Sequence, residues 1–193
     1  GKTTTTINLA AALSQLKKKV LIIDLDPQGN ASTGLGVEVE DRELSTYEFL
    51  VEGVPIEKVT METEISGLNI VPATIDLSSA DIDLISNEKR SYLLHAALRK
   101  KQQDKQKYDY ILIDCPPSLN ILTVNAMVAS HSVLIPLQSE FFALEGLSQL
   151  LLTVKELRQT ANENLRVEGI VLTMFDGRNN LSKQVEADAR SNL

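Results

Sequence analysis

The first residues of the chain place a cation and several hydroxyl groups at the start of a helix. Gly1-Lys2-Thr3 is followed by three more threonines, within a helix predicted over Thr3–Leu16. A lysine is unfavourable at a helix N-terminus, where the dipole is positive, unless an anion lies beside it. The tripeptide matches the end of a phosphate-binding loop, in which lysine contacts the β- and γ-phosphates. We predict that these residues bind phosphate together with Thr4, and that the Thr3 hydroxyl binds Mg²⁺.

Two predicted strands end in carboxylates. The apolar run Val20–Asp24 is followed closely by Asp26, and the run Tyr110–Asp114 is followed by two prolines. The carboxyl ends of parallel strands meet at one edge of an α/β sheet, where ligands bind. We expect Asp114 to hold a magnesium-bound water and Asp24 to support the magnesium region. Asp26 is the better candidate for orienting the attacking water, so the sequence predicts a nucleotide–magnesium site.

Other residues have weaker claims. Thr5 and Thr6 could simply begin the helix. Three glycines suit a mobile loop near the γ-phosphate, although glycine is common in any surface loop; they are Gly29, Gly34 and Gly36. Arg178 lies at a predicted strand-to-helix turn, where a contact with a nucleic-acid phosphate is conceivable. The two histidines have no partner pattern, and we assign them to the surface or to helix packing.

These side chains need a scaffold, and the hydrophobic pattern predicts one. Short apolar runs alternate with helical repeats along the whole chain, which is typical of a mostly parallel sheet with helices on both faces. We predict a single α/β domain over residues 1–193, with a loop insertion at Gly29–Gly67 that contains a short helix at Thr46–Val51. The predicted strands are Val20–Asp24, Leu68–Val71, Tyr110–Asp114, Val133–Pro136 and Val167–Thr173. The predicted helices are Thr3–Leu16, Leu77–Ile85, Glu88–Gln103, Leu119–Ala129, Leu144–Ala161 and Leu181–Arg190.

Composition narrows the function classes. The chain has 193 residues, of which 43% are hydrophobic, enough for a substantial core. It lacks an apolar run of about 18 residues, so we expect no membrane partner. The net charge of −7 argues against a surface that is basic all over, so any nucleic-acid contact would use a local patch. The single Cys115 fits a reducing cytoplasm and cannot supply a cysteine metal cluster.

Together these motifs resemble the deviant Walker A ATPases, and specifically the ParA/Soj-type chromosome and plasmid partition ATPases of the MinD/ParA superfamily. The Asp-Leu-Asp-Pro-Gln-Gly-Asn run is similar to the family's second motif, and the strand that ends in Asp114 is similar to its Walker B motif. The stretches that carry the resemblance are Gly1–Ala10, Val20–Asn30, Tyr108–Leu119, Phe141–Leu151 and Leu172–Arg178.

The resemblance implies an ATP-dependent DNA segregation switch with ATP and Mg²⁺ as cofactors. ATP binding would bring two subunits into a homodimer that binds double-stranded DNA without sequence preference. A ParB-type centromere-binding partner would stimulate hydrolysis and release, and the protein would be cytoplasmic and nucleoid-associated. Lys2 and Asp26 would be catalytic, and Arg178 aligns with an arginine that the family uses for DNA.

Two departures from the family pattern lead to further expectations. The family's signature lysine, glycine-rich loop and first strand would precede Gly1, and further elements would follow Leu193. We therefore expect a truncated P-loop NTPase-like fold that lacks the usual first strand and exposes a neighbouring strand edge. A MinD-like division-site regulator is an alternative, which the Gly29–Gly67 insertion disfavours. Another is a catalytically incompetent α/β fragment that acts by protein–protein interaction.

Overall fold

The computed structural model describes residues 1–99, 108–140 and 143–191. The predicted helix Glu88–Gln103 passes out of the described residues after Arg99, and the first two residues of the Phe141–Leu151 stretch also lie outside them. The chain forms two compact units. One comprises Thr3–Ala129, and the other comprises Ser130–Leu193 together with Gly1–Lys2.

Helices and strands alternate as the hydrophobic pattern predicts. Each of the five predicted strands is present, and a sixth, very short strand was not predicted. The strands are β1 (Val20–Asp24), β2 (Met61–Glu62), β3 (Leu68–Val71), β4 (Tyr110–Asp114), β5 (Ser132–Gln138) and β6 (Arg166–Thr173). The α-helices are α1 (Lys2–Gln15), α2 (Asn30–Gly34), α3 (Ile56–Val59), α4 (Ala80–Asp83), α5 (Leu93–Arg99), α6 (Ile121–Ala129), α7 (Ala143–Thr160) and α8 (Asn180–Ser191). Short 3-10 segments lie at Val39–Asp41, Ile75–Ser79 and Arg90–Tyr92, and a π-helical turn spans Glu48–Glu52.

The first unit is built on a four-stranded sheet in the order β2-β3-β1-β4. Strand β1 pairs in parallel with β3 on one side and with β4 on the other, while β2 pairs antiparallel with β3. All five residues of β1 are buried. A strand that is covered on both faces must be apolar along its length, which explains the unbroken run that precedes its terminal aspartate.

Alternate residues of β1 belong to two different cores. Val20 and Ile22 pack in a cluster that includes Ala10 of α1, whereas Leu21 and Ile23 pack in a cluster that includes residues of α5 and α6. Because successive side chains of a strand point to opposite faces, helices cover both faces of this sheet. The predicted α/β architecture, mainly parallel with helices on both faces, is confirmed for this unit.

The insertion at Gly29–Gly67 is more regular than the sequence suggested. It contains α2, α3, β2 and the π-helical turn, which corresponds to the short helix predicted at Thr46–Val51. The Glu48 carboxylate accepts hydrogen bonds from the backbone N–H and the hydroxyl of Ser45, both at 2.7 Å, a form of capping box. The Thr46 hydroxyl donates to the Asp24 carbonyl at 2.7 Å, which ties the insertion to the end of β1.

The second unit holds the parallel pair β5 and β6. Ile135 and Leu137 of β5 pack with Leu147 of α7 and with Val185 and Ala189 of α8. Both helices therefore bury their apolar sides against this pair of strands, in agreement with the predicted strand–helix alternation.

Strand β4 ends the four-stranded sheet, and within the described residues it pairs with β1 alone. Tyr110 and Ile111 on this strand are 45% and 41% exposed. No helix in the described ranges is both long enough and apolar enough to span a membrane.

Candidate functional site

Adjacent strand ends place two carboxylates side by side. The register of β1 and β4 pairs Asp24 with Asp114, and both side chains are almost completely buried. The backbone N–H of Leu25 donates to the Asp114 carbonyl at 2.8 Å, which extends the pairing one residue beyond the strands. The two carboxylates assigned from sequence to a magnesium region therefore meet at one sheet edge, where open α/β sheets bind ligands.

Helix α1 brings hydroxyl groups to the same edge. The Thr6 hydroxyl donates a hydrogen bond to Asp114 Oδ1 at 3.1 Å. Thr3 lies three residues earlier and hence on the same face of the helix, one turn closer to its N-terminus. Thr6 had only a weak claim from sequence, because a run of threonines does not indicate which hydroxyl faces the sheet. The i, i+3 spacing from Thr3 was the available signal.

Burial sets the protonation of Asp24. Its Oδ2 accepts hydrogen bonds from the Ser32 N–H at 2.9 Å and the Ser32 hydroxyl at 2.7 Å, and Oδ1 accepts one from the Asp26 N–H at 3.2 Å. Desolvation raises the pKa of Asp24 to about 6, although these hydrogen bonds oppose the shift. The neighbouring charge of Asp114 adds to the increase. Asp24 is thus a buried structural carboxylate whose charge is costly.

Asp26 lies beyond the end of β1, in a tight turn. Its Oδ1 accepts the Gln28 N–H at 3.0 Å, and its carbonyl accepts the Gly29 N–H at 2.9 Å. Asp26 is 8% exposed, and within the described residues its second carboxylate oxygen has no hydrogen-bond partner. The turn therefore fixes the carboxyl group through one oxygen and leaves the other for a water molecule.

A polar network that the sequence pattern does not indicate lies behind this turn. We call residues 25–45 the Asp26 loop; its α2 is attached to β1 by Ser32, whose hydroxyl also accepts the Ala73 N–H at 3.0 Å. Arg42 is 7% exposed and donates to the Ala73 carbonyl at 3.0 Å and to the Thr33 hydroxyl at 2.7 Å. The three glycines predicted to form a mobile loop thus lie in a hydrogen-bonded segment. Gly34 ends α2, while Gly29 and Gly36 have left-handed backbone angles.

The other predicted phosphate-binding residues lie at or just before the start of α1. Gly1 and Lys2 belong to the second unit, with Lys2 exposed as the first residue of α1. Thr4 is exposed in the same turn, and its carbonyl accepts the Asn8 side-chain amide at 2.8 Å. Thr3 and Thr4, among the predicted phosphate-binding residues, therefore belong to the unit that contains the two strand-end carboxylates.

Arg178 follows β6 in the second unit, in what we call the Arg178 turn, residues 174–179. Its guanidinium pairs with the Asp176 carboxylate, Nε to Oδ1 at 3.1 Å and Nη2 to Oδ2 at 2.9 Å. The Arg178 N–H also donates to Asp176 Oδ1 at 2.9 Å. These hydrogen bonds lower the pKa of the Asp176 carboxyl, which is about half exposed. The turn therefore presents an arginine fork that already holds a carboxylate.

The donor set at the sheet edge fits a hard cation that brings its own further ligands. Across the described parts of the chain, no group of three or more His, Cys, Asp or Glu side chains could form a metal cage. Mg²⁺ characteristically binds one or two protein oxygens, with water and phosphate completing its octahedron. A threonine hydroxyl and a strand-end carboxylate would fit as those one or two oxygens.

Comparison with known proteins establishes the family. A profile described as the AAA domain matches residues 1–167. The chromosome partitioning protein ParA of Caulobacter vibrioides is 50% identical over 193 residues, which cover the whole chain and 72% of that protein. The sporulation initiation inhibitor protein Soj of Bacillus subtilis is 49% identical over 185 residues, 96% of the chain and 72% of that protein. The chain belongs to the ParA/Soj family of partition ATPases.

Solved structures agree with this ParA/Soj assignment. Cobyrinic acid a,c-diamide synthase from Mycobacterium smegmatis, with bound ADP and magnesium, is 36% identical at a TM-score of 0.91. The match covers the whole chain and 77% of that protein. The ATP complex of a McdA variant from Cyanothece is 27% identical at a TM-score of 0.90, covering 99% of the chain and 74% of that protein. The ParA/Soj fold of the chain is therefore shared with proteins crystallised with adenine nucleotides.

Proposed function

We propose that the chain hydrolyses ATP with Mg²⁺ at the edge formed by α1, β1 and β4, and that this reaction drives chromosome partition. The observation that carries the proposal is the pairing of Asp24 with Asp114 at adjacent strand ends, with a threonine hydroxyl of α1 hydrogen-bonded to Asp114. Lys2 and Thr4 contact phosphates, together with the backbone at Gly1. The relatives named for chromosome partitioning support the biological setting.

In this proposal each residue at the edge has a separate role. The Thr3 hydroxyl would bind Mg²⁺ directly, and Asp114 would hold one of its waters. When bound, the ion neutralises charge on the phosphates and so favours phosphoryl transfer. Thr6 keeps the Asp114 carboxylate in place. Asp24 holds the backbone of the Asp26 turn through its hydrogen bonds to the N–H groups of Asp26 and Ser32.

Asp26 would orient the attacking water. Its turn fixes Oδ1 on the Gln28 N–H, and the second oxygen retains lone pairs that can accept a proton from a water molecule. A carboxylate held in this way lowers the barrier without contributing to ground-state ATP affinity. The Lys2 ammonium would balance the charge that develops on the transferred phosphoryl group.

The switch itself acts through DNA and a partner. ATP binding would favour a homodimer, and the dimer would bind double-stranded DNA through backbone phosphates, with Arg178 as one contact. An arginine fork that donates two hydrogen bonds to a carboxylate can donate to a phosphate in the same way. A ParB-type centromere-binding protein would stimulate hydrolysis and release the DNA. The protein would then be nucleoid-associated while ATP is bound.

The experiment compares the DNA affinity of the Arg178→Glu variant with that of the wild type, with ATP and Mg²⁺ present. Affinity should fall by about tenfold or more for every duplex sequence alike, and ATP affinity should be unchanged. Arg166→Glu is the matched control, because Arg166 is also exposed and paired with a carboxylate, but lies at the opposite end of β6. Equal losses in both variants would contradict a local role for Arg178. A loss confined to some sequences would contradict the non-specific mode.

A further inference from the structure

Arg42 is a buried cation whose partners are all uncharged. Its guanidinium donates to the carbonyls of Val37 and Ala73 and to the Thr33 hydroxyl, at distances from 2.7 to 3.3 Å. Arg42 takes part in none of the ion pairs between described residues. Burying a charge without a counter-charge is unfavourable. A neutral side chain would fill this position at lower cost unless the geometry of the arginine fork were needed.

The fork joins α2 and the turn after it to a segment that is 31 residues away from Arg42 in sequence. Thr33 is in α2, Val37 is in the turn that follows it, and Ala73 follows the end of β3. The Ala73 N–H donates to Ser32, which in turn donates to Asp24. Arg42 and Ser32 thus fix α2 between the ends of β1 and β3. One planar group with several directed donors can make these contacts together, whereas lysine cannot.

The same guanidinium packs against the turn that contains Asp26. A Cβ atom added to Gly29 would collide with Arg42 Nη1 and would lie 3.1 Å from the Ala73 carbonyl. Gly29 closes the Asp26 turn, because its N–H donates to the Asp26 carbonyl at 2.9 Å. Any shift of the guanidinium would therefore be transmitted to the residue that shapes the turn.

We propose that Arg42 is a positioning residue for hydrolysis. Its guanidinium holds Gly29 and α2 against the end of β3, and this contact keeps the Asp26 carboxylate in the orientation that turnover requires. The inference rests on the proposed role of Asp26 in orienting water. It adds a distant residue that should affect turnover while leaving nucleotide binding unchanged.

The test measures kcat and KM for ATP in Arg42→Lys, which keeps the charge but loses the fork. Turnover should fall by about tenfold or more, because small displacements of a catalytic group are costly. KM should stay within about twofold, since Arg42 is proposed to act through Asp26, whose contact with water contributes to the transition state and not to ATP affinity. Arg90→Lys is the matched control, an exposed arginine of the same unit. Arg42→Gln, which keeps part of the donor set, gives a second variant if the lysine variant unfolds.

A double-mutant cycle with Asp26→Ala separates the two hypotheses. If Arg42 acts through Asp26, Arg42→Lys should lower the turnover of the Asp26→Ala protein by less than about twofold. An effect of equal size in both backgrounds would overturn the positioning role and leave the role of Asp26 intact. Unchanged turnover in Asp26→Ala alone would overturn both. Failure of both Arg42 variants to fold would also overturn the proposal, because the residue would then be structural.

Discussion

The Asp26 loop and the Arg178 turn use the same two side-chain types in opposite ways. Asp24, which immediately precedes the loop, and Arg42 within it are both buried, and each is hydrogen-bonded to uncharged groups. In the turn, Asp176 and Arg178 are exposed and pair with each other. Burial of a charge is costly, so the buried groups must be retained for the geometry that they fix. Exposed pairs contribute little to stability and can be exchanged for another partner.

This difference suggests two kinds of function. In the proposed function, the loop holds a carboxylate that must keep one orientation during hydrolysis, and its hydrogen bonds link residues far apart in sequence. The turn presents the Arg178 guanidinium, which now pairs with the carboxylate of Asp176, two residues earlier in the chain. A fixed site suits chemistry, where small displacements reduce the rate. An exchangeable site suits reversible binding of DNA phosphates.

The burial of Asp24 predicts that its contribution to the free energy of unfolding falls as the pH rises, the reverse of what an ion-paired aspartate contributes. Because the folded-state pKa of Asp24 is raised from 3.8 to about 6, the folded protein binds a proton more tightly than the unfolded chain. This contribution is fully present below about pH 4 and is lost as the pH rises to about 6. Between these values the wild type should lose up to about 3 kcal/mol of unfolding free energy relative to Asp24→Asn.

The measurement is urea denaturation of both proteins across this range, without nucleotide or Mg²⁺. Asp41→Asn is the control, since Asp41 is an exposed carboxylate in the same loop. A difference between wild type and Asp24→Asn that stays flat from pH 4 to 6.5 would contradict the cost assigned to burying this charge.

Gly29 tests how tightly Arg42 packs against the Asp26 turn. Gly29→Ala places a side chain at a φ of +62° and against the guanidinium, so it should reduce stability by about 2–4 kcal/mol. Gly36→Ala is matched, because Gly36 has a φ of +80° but open space around its Cβ position. It should cost only about 1 kcal/mol. Equal losses in thermal or urea unfolding would show that Arg42 does not crowd Gly29.

The exposed Asp176–Arg178 pair predicts a small gain in DNA affinity when its carboxylate is removed. Asp176→Asn removes the carboxylate that occupies the Arg178 fork, and DNA affinity should rise by about two- to fivefold. The asparagine oxygen can still accept the Arg178 N–H, so the turn should persist. Glu168→Gln removes the same charge at the other end of β6 and is the control. Fluorescence anisotropy with a random duplex measures both. An equal gain in the control would indicate a general charge effect.

The strands could be predicted from the sequence because buried strands appear there as unbroken apolar runs. The bounds of strands β1 and β4 were predicted to the residue, since each apolar run ends at an aspartate. Strand β2 has only two residues and could not be distinguished from loop. The Ser-x-x-Glu spacing from Ser45 to Glu48 is typical of a capping box, so the hydrogen bonds at this turn could have been predicted.

The polar network behind Asp26 could not be predicted in the same way. Arg42 contacts Ala73 across 31 residues, and Ser32 contacts Ala73 across 41. Neither residue lies in a periodic pattern, and arginine is ordinarily a surface residue. Its burial follows from how the Asp26 loop folds back onto β3, which depends on the tertiary structure. Local patterns therefore identified Asp24, Asp26 and Asp114 but not the groups that hold the Asp26 turn.

The central claim is that Asp26 acts on the attacking water and not on nucleotide affinity. The direct measurement compares Mg²⁺-dependent ATP binding with ATP turnover in the wild type and in Asp26→Ala, with Asp41→Ala as the control. The account predicts ATP affinity within about threefold of the wild type and turnover reduced by about a hundredfold or more. Turnover equal to that of the wild type, or a loss of ATP affinity as large as the loss of turnover, would contradict it.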